Sequence, residues 1–134
     1  MLDPEGDYRS LEVLPGVTML GGKDPPPTPR ELGRALRYPN HSVVIDLSPL
    51  PHDAKTEYIR ATLPALNAIR RRTGLPHRIL LDEAHYFLHD ARAAHLLDLE
   101  LNGYTVITYN ASRLPQELLA ASDVVIVTCR VRPG

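Results

Sequence analysis

Apolar positions along this chain fall into short runs divided by polar, turn-forming connections. Five runs read as strands: Gly16 to Leu20, Ser42 to Ser48, Ile79 to Leu81, Tyr104 to Tyr109, and Val124 to Thr128. Ile79-Leu80-Leu81, flanked by charge, has the continuous apolar character of a strand buried in a parallel sheet. Between the runs the period changes to that of helices. Thr28-Pro29-Arg30-Glu31 combines an N-cap, a proline at the first helical position and a capping-box glutamate, so a helix should run to about Arg37 and stop before Pro39. From Asp53 to Thr73, Ile59, Leu63, Leu66 and Ile69 or Arg70 make one apolar stripe. Pro64 inside it should kink or split the helix near Arg60, and Gly74 should close it. Ala84 to His89 should begin a helix or turn. Asp90 should cap a helix from Ala91 to Leu101, and Pro115 should open a short helix to about Ala121. Met1 to Ser10 reads as a loop that follows a strand outside these residues.

Strands alternating with helices over short connections predict an α/β fold, with a largely parallel sheet flanked by helices. The 134 residues fit one domain, residues 1–134, long enough to bury a real core. A formal net charge of −1 gives no global sign of nucleic-acid or membrane binding. No apolar stretch reaches membrane-spanning length, and the amino terminus has neither the basic start nor the apolar core of a signal peptide. The single cysteine, Cys129, lies in an apolar run and should be buried and inert. A chain with one cysteine fits a reducing cytoplasm.

The chemistry concentrates at the end of the Ile79 to Leu81 run, where Asp82 and Glu83 stand side by side. Strand ends of α/β sheets hold the functional groups, and an apolar strand ending in two acids has the shape of a Walker B element followed by a catalytic glutamate. In that reading Asp82 orients a water on Mg²⁺ and Glu83 polarises the water that attacks a γ-phosphate. The bland reading is a strand ending on a solvated acidic pair. A glycine pair elsewhere invites a phosphate-loop reading, because Gly16-x-x-x-x-Gly21 is followed by Lys23. The spacing fails: Gly22 occupies the lysine position, and Pro25-Pro26-Pro27 forbids the helix such a loop needs. Asp46 ends the Ser42 strand, but Ser48 stands where a phosphatase D-x-D pattern needs its second acid, so a structural role is expected. Arg70-Arg71-Arg72 suits the last turn of a helix dipole better than a phosphate site. His85 and His89, with Asp82, Glu83 or His95, offer a zinc alternative, although the HExxH order is absent.

Several stretches resemble, in order, HerA/FtsK-type P-loop ATPases, closest to the HerA-like ATPase part of bacterial fusions with a HAD-type phosphatase. These are Asp3-Pro-Glu-Gly-Asp-Tyr8, Ser42-Val-Val-Ile-Asp-Leu-Ser48, Arg72 to His77, Arg78 to Leu88 (RILLDEAHYFL) and Thr108-Tyr-Asn-Ala-Ser-Arg-Leu-Pro115. The resemblance covers nearly the whole chain and implies an incomplete RecA-like fold. It makes Asp82 the Mg²⁺-water acid and Glu83 the catalytic base. Asn110, Ser112 and Arg113 become the nucleotide-sensing block, with Tyr109 where the family often has Gln. The family's Walker A loop lies upstream of the DPEGDY stretch and has no counterpart here. The resemblance therefore implies a later portion of an ATPase domain, with weak or no binding of ATP alone. It would need a Walker A-bearing polypeptide, or it would self-associate through the incomplete sheet. A non-catalytic interaction module derived from the same fold shares every feature. A DEAH-type helicase rests on four letters without its other motifs. DNA binding follows only by analogy with translocating relatives, since basic residues are dispersed and aromatic residues make up 5%.

Overall fold

The computed structural model describes residues 1–74, 76–90 and 93–128. A five-stranded sheet runs in the order β2-β3-β1-β4-β5, with every neighbouring pair parallel. The strands are β1 (Leu2–Asp3), β2 (Val17–Gly21), β3 (Ser42–Asp46), β4 (Ile79–Leu81) and β5 (Tyr104–Val106). The helices are α1 (Pro29–Ala35), α2 (His52–Thr73) and α3 (Gln116–Ala120). The α/β architecture is therefore the one the alternation of runs predicts.

Local chemistry fixes the helix ends. The Thr28 amide donates to Glu31 Oε2 at 2.8 Å and the Glu31 amide to Thr28 Oγ1 at 3.3 Å, completing the capping box of α1. Helix α2 ends in Gly74, whose amide donates to the Arg70 carbonyl. Two of the three arginines in its last turn make structural contacts. Arg71 pairs with Asp98 and Glu100, while Arg70 donates to the Asn102 carbonyl and lies over the Tyr104 ring. Pro64 does not split α2. It sits on the exposed face and removes only the one bond its amide would have made to the Arg60 carbonyl. The opposite face, Ile59, Leu63 and Leu66, is buried and belongs to a core shared with Leu2, Val43, Ile45, Ile79 and Leu81.

Three expectations are corrected. Leu2–Asp3, read as loop, is the central strand, and Leu2 pairs with both Ile45 and Leu81. Two residues carry no periodicity; only their neighbours make them a strand. The Asp90-capped helix is a single 3₁₀ turn, Ala93–Leu96. Asp90 does accept the Ala93 amide at 2.8 Å, but the turn is not extended. The expected start at Ala91 and Arg92 lies outside the described residues. Val124 to Thr128 forms no strand, and Val124, Val125, Ile126 and Val127 are 75%, 71%, 87% and 76% exposed. A β-branched run becomes a strand only when it pairs with an edge, and among the described residues this run pairs with none. Cys129 lies outside the described residues. Among the described residues no helix is long and apolar enough to cross a membrane.

Leu63 is fully buried at the centre of the α2 face. Leu63→Ala should lower unfolding free energy by about 2–5 kcal/mol, read as a reduced urea midpoint with an unchanged slope.

Candidate active site

Register places three aspartates in one row across three neighbouring strands. Asp3 is paired with Asp46 on one side, and because Leu2 pairs with Leu81, Asp82 follows on the other. All three are buried at the carboxyl ends of a parallel sheet, where α/β proteins bind ligands. Their partners differ. Asp3 accepts the amides of Gly6 at 2.8 Å, Asp7 at 3.3 Å and Tyr8 at 3.1 Å. Asp46 accepts from the Ser48 amide at 2.9 Å and pairs with Arg9, also at 2.9 Å. Despite the opposing effect of burial, these Ser48 and Arg9 contacts hold the Asp46 carboxyl below its ordinary range. Both acids are thus structural, as expected for Asp46. Asp82 accepts the amide of Glu83 at 2.8 Å, and its charge acts on the nearby Tyr8 hydroxyl. Burial and then the Asp82 charge push the Tyr8 hydroxyl up. Asp82 is the acid of the row with bonding capacity to spare.

Glu83 follows in a left-handed turn, φ 48° and ψ 38°, and is the one non-glycine residue with positive φ among the described residues. Such strain persists where surrounding contacts enforce it and concentrates at functional sites. The enforcing contact is the Ala84 amide, which donates to the Ile107 carbonyl at 3.0 Å and ties the turn to the end of β5. Glu83 Oε2 is buried without a hydrogen-bond partner and lies 3.4 Å from His85 Nδ1. Burial pushes the Glu83 carboxyl up, with the charges of Asp82, Glu5 and Asp7 adding to it. Burial, with Arg113 behind it, pushes His85 down. Both shifts oppose an ion pair, so the contact is between groups that favour their uncharged forms.

His85 is wholly enclosed, its ring 4.2 Å from that of Tyr86 and 4.3 Å from that of Tyr109. The Thr108 hydroxyl accepts the Asn110 amide at 3.0 Å and is free to donate to His85 Nδ1, also at 3.0 Å. That arrangement leaves the ring proton on Nε2, which is buried and has no partner.

The structure therefore gathers Tyr8, Asp82, Glu83, His85 and Thr108. Of the sensing block, Ser112 donates to the Asn110 side chain at 2.8 Å, and exposed Arg113 reaches the site only through its charge on His85. Tyr8 and Thr108 carried no assigned role in the sequence. The motif that contains Tyr8 was visible, but its reach across to Asp82 depends on the Asp3 turn. The glycine pair is no phosphate cradle: the Gly22 amide donates to the Asp46 carbonyl at 2.9 Å. A Cβ on Gly21 would stand 2.3 Å from the same oxygen. The zinc arrangement is not assembled. His85 is buried, His89 is exposed with Nδ1 at 3.0 Å from the Tyr86 carbonyl, and no three described His, Cys, Asp or Glu residues are placed to hold a metal.

Compared with known families, curated proteins and solved structures, the chain matched none.

Glu83 holds its proton more tightly folded than unfolded, so its ionisation erodes stability as pH rises from about 4.5 through the raised folded value. Glu83→Gln should therefore be more stable than the parent at pH 7, with the difference fading below pH ~4.5, as measured by urea unfolding at both pH values.

Proposed function

We propose that these residues carry the water-activating half of a nucleoside-triphosphatase site on a HerA/FtsK-like domain, and that the phosphate-cradling half comes from outside them. The observation that carries the proposal is Glu83: a carboxylate in a strained turn, directly after the spare-valence Asp82, with one oxygen buried and unpartnered. A base for water attack needs a carboxylate with raised basicity and an open lone pair, and Glu83 has both. Asp82 suits Mg²⁺, which is held by one or two carboxylates through waters. Bound there, Mg²⁺ would neutralise phosphate charge. Tyr8 lies close enough to Asp82 to feel its charge, and Thr108 fixes the His85 ring beside Glu83. Asn110, Ser112 and Arg113 form the polar loop next to it.

The second half is supported by what β5 lacks. Among the described residues it pairs with β4 alone, leaving its outer edge without a partner there, and the exposed Val124 to Val127 run is in no strand. One further parallel strand between them would satisfy both, and the phosphate loop would emerge at its carboxyl end, level with Asp82 and Glu83. An open edge of this kind is also a route to self-association.

Titration of ATP·Mg²⁺ into the isolated chain should give no heat. Binding that disappears in Asp82→Ala would mean the chain already holds a complete phosphate site, and the two-part reading would be wrong. In a complex reconstituted with a Walker A-bearing polypeptide, Glu83→Gln should lower turnover by at least about 10²-fold while the fold is retained. Turnover unchanged there removes Glu83 from the mechanism; no turnover in the parent complex favours the non-catalytic module.

A further inference from the structure

Strand β2 forms the edge of the sheet remote from β4 and its acids. All of its residues pair in unbroken register with β3, so it carries no bulge. Its sequence, Val17-Thr18-Met19-Leu20-Gly21, holds no charge and no proline. Charges, prolines, bulges and shortness are the devices by which edge strands ordinarily turn away a further strand. β2 has none of them, and its five residues remain half-buried.

The register fixes which groups face outward. In a parallel pair, alternate residues turn amide and carbonyl toward the neighbour. The Ser42 amide donates to the Gly16 carbonyl and the Gly22 amide to the Asp46 carbonyl, each at 2.9 Å. Thr18 and Leu20 therefore face β3, while Val17, Met19 and Gly21 face out. The ends of this outward row are partly used within the chain. The Val17 amide donates to the Leu14 carbonyl at 3.2 Å, and the Gly21 carbonyl accepts the Asp24 amide at 3.4 Å. Both backbone groups of Met19, the Val17 carbonyl and the Gly21 amide have no partner among the described residues.

We propose that β2 is a self-complementary interface, joining a second copy of this chain antiparallel across a two-fold axis at Met19. Antiparallel strands exchange paired bonds at every second residue, so Met19 meets the partner's Met19 and Val17 meets the partner's Gly21. Four bonds form without breaking any already made: two between the Met19 residues, and one from each Gly21 amide to the opposite Val17 carbonyl. The side chains match as well. Residues directly opposite share a face, and Gly21 has to be bare, since a Cβ there would stand 2.3 Å from the Asp46 carbonyl oxygen. At the other end stand Val17 and, bonded to it, exposed Leu14 beside exposed Val13. One strand thus offers a bulky apolar end and a bare end, and an antiparallel second copy sets each against the other twice. A five-residue edge buries less than the ~1,200 Å² of standard interfaces, so the dimer is a weak one. It stands on β2 and is independent of the nucleotide reading.

Sedimentation velocity of the full chain from about 10 µM to about 1 mM should show a monomer–dimer equilibrium, in keeping with so small an interface. Met19→Pro deletes the outward amide, costs no bond to β3, and is the kind of proline an edge strand tolerates. It should weaken association at least ~10-fold, with the far-ultraviolet circular dichroism unchanged. Met19→Cys, made together with Cys129→Ser, tests the axis separately. It sets two thiols on a hydrogen-bonded pair about 5.5 Å apart at Cα, within disulfide reach, and should crosslink under mild oxidation. Val17→Cys in the same background lies opposite the partner's Gly21, out of reach of its own counterpart, and should not. The crosslink decides the matter even if the proline variant unfolds. A chain that is monomeric throughout overturns the proposal and leaves the edge to a different protein. Association unchanged in a folded Met19→Pro, or crosslinking no faster through Met19→Cys than through Val17→Cys, overturns it too; the contact between copies then lies elsewhere, as at β5.

Discussion

The Asp3 carboxylate, closed on by three backbone amides, is the constraint on which the rest of the site depends. A buried carboxylate is tolerated only when its lone pairs are met by donors, and charge-assisted bonds to amides are among the stronger ones available. To deliver the amides of Gly6, Asp7 and Tyr8 to one carboxylate, the chain leaving β1 must fold back over the end of the strand. That turn carries Tyr8 to Asp82 on one side and Arg9 to Asp46 on the other. A single acid at the end of a two-residue strand thus sets the surroundings of the acids on both neighbouring strands.

The consequence is an asymmetry along a row that is uniform in sequence chemistry. Adjacent parallel strands stand about 4.8 Å apart, close enough for the charges of three buried aspartates to oppose one another strongly. Asp46 resolves this with a guanidinium and Asp3 with amides. Asp82 receives one amide, a weaker set than either. Asp82 is left with the fewest donors because the chain leaving β1 gives its amides to Asp3 and its guanidinium to Asp46.

How far this was legible from the residues varies with the range of the interaction. The α1 capping box, the Gly74 end of α2, the β3 and β4 runs and the Asp82-Glu83 pair are local signals, and each is where its residues imply. Leu2–Asp3 was hidden because two residues show no period, and its strand character comes entirely from Ile45 and Leu81. Val124 to Val127 misled for the converse reason: its composition is that of a strand, but strand formation needs a partner edge. The contacts that define the site, Tyr8 to Asp82 and Thr108 to His85, cross strands and carry no spacing that sequence could reveal.

On the proposed reading, the same electrostatics explain how an incomplete site stays quiet. The Glu83 carboxyl is raised first by burial and then by Asp82, Glu5 and Asp7, all of them negative. A group in that setting ionises less readily than an ordinary carboxyl, and is the stronger base once it does. A cation placed on Asp82, or a lysine brought by a phosphate loop, would offset those neighbours and pull the Glu83 carboxyl back down, freeing its lone pair. The turn itself need not move, because the Ala84 amide on the Ile107 carbonyl already holds it in its strained form. The geometry for water activation would then be present beforehand, and the missing half would supply the charge that switches it on.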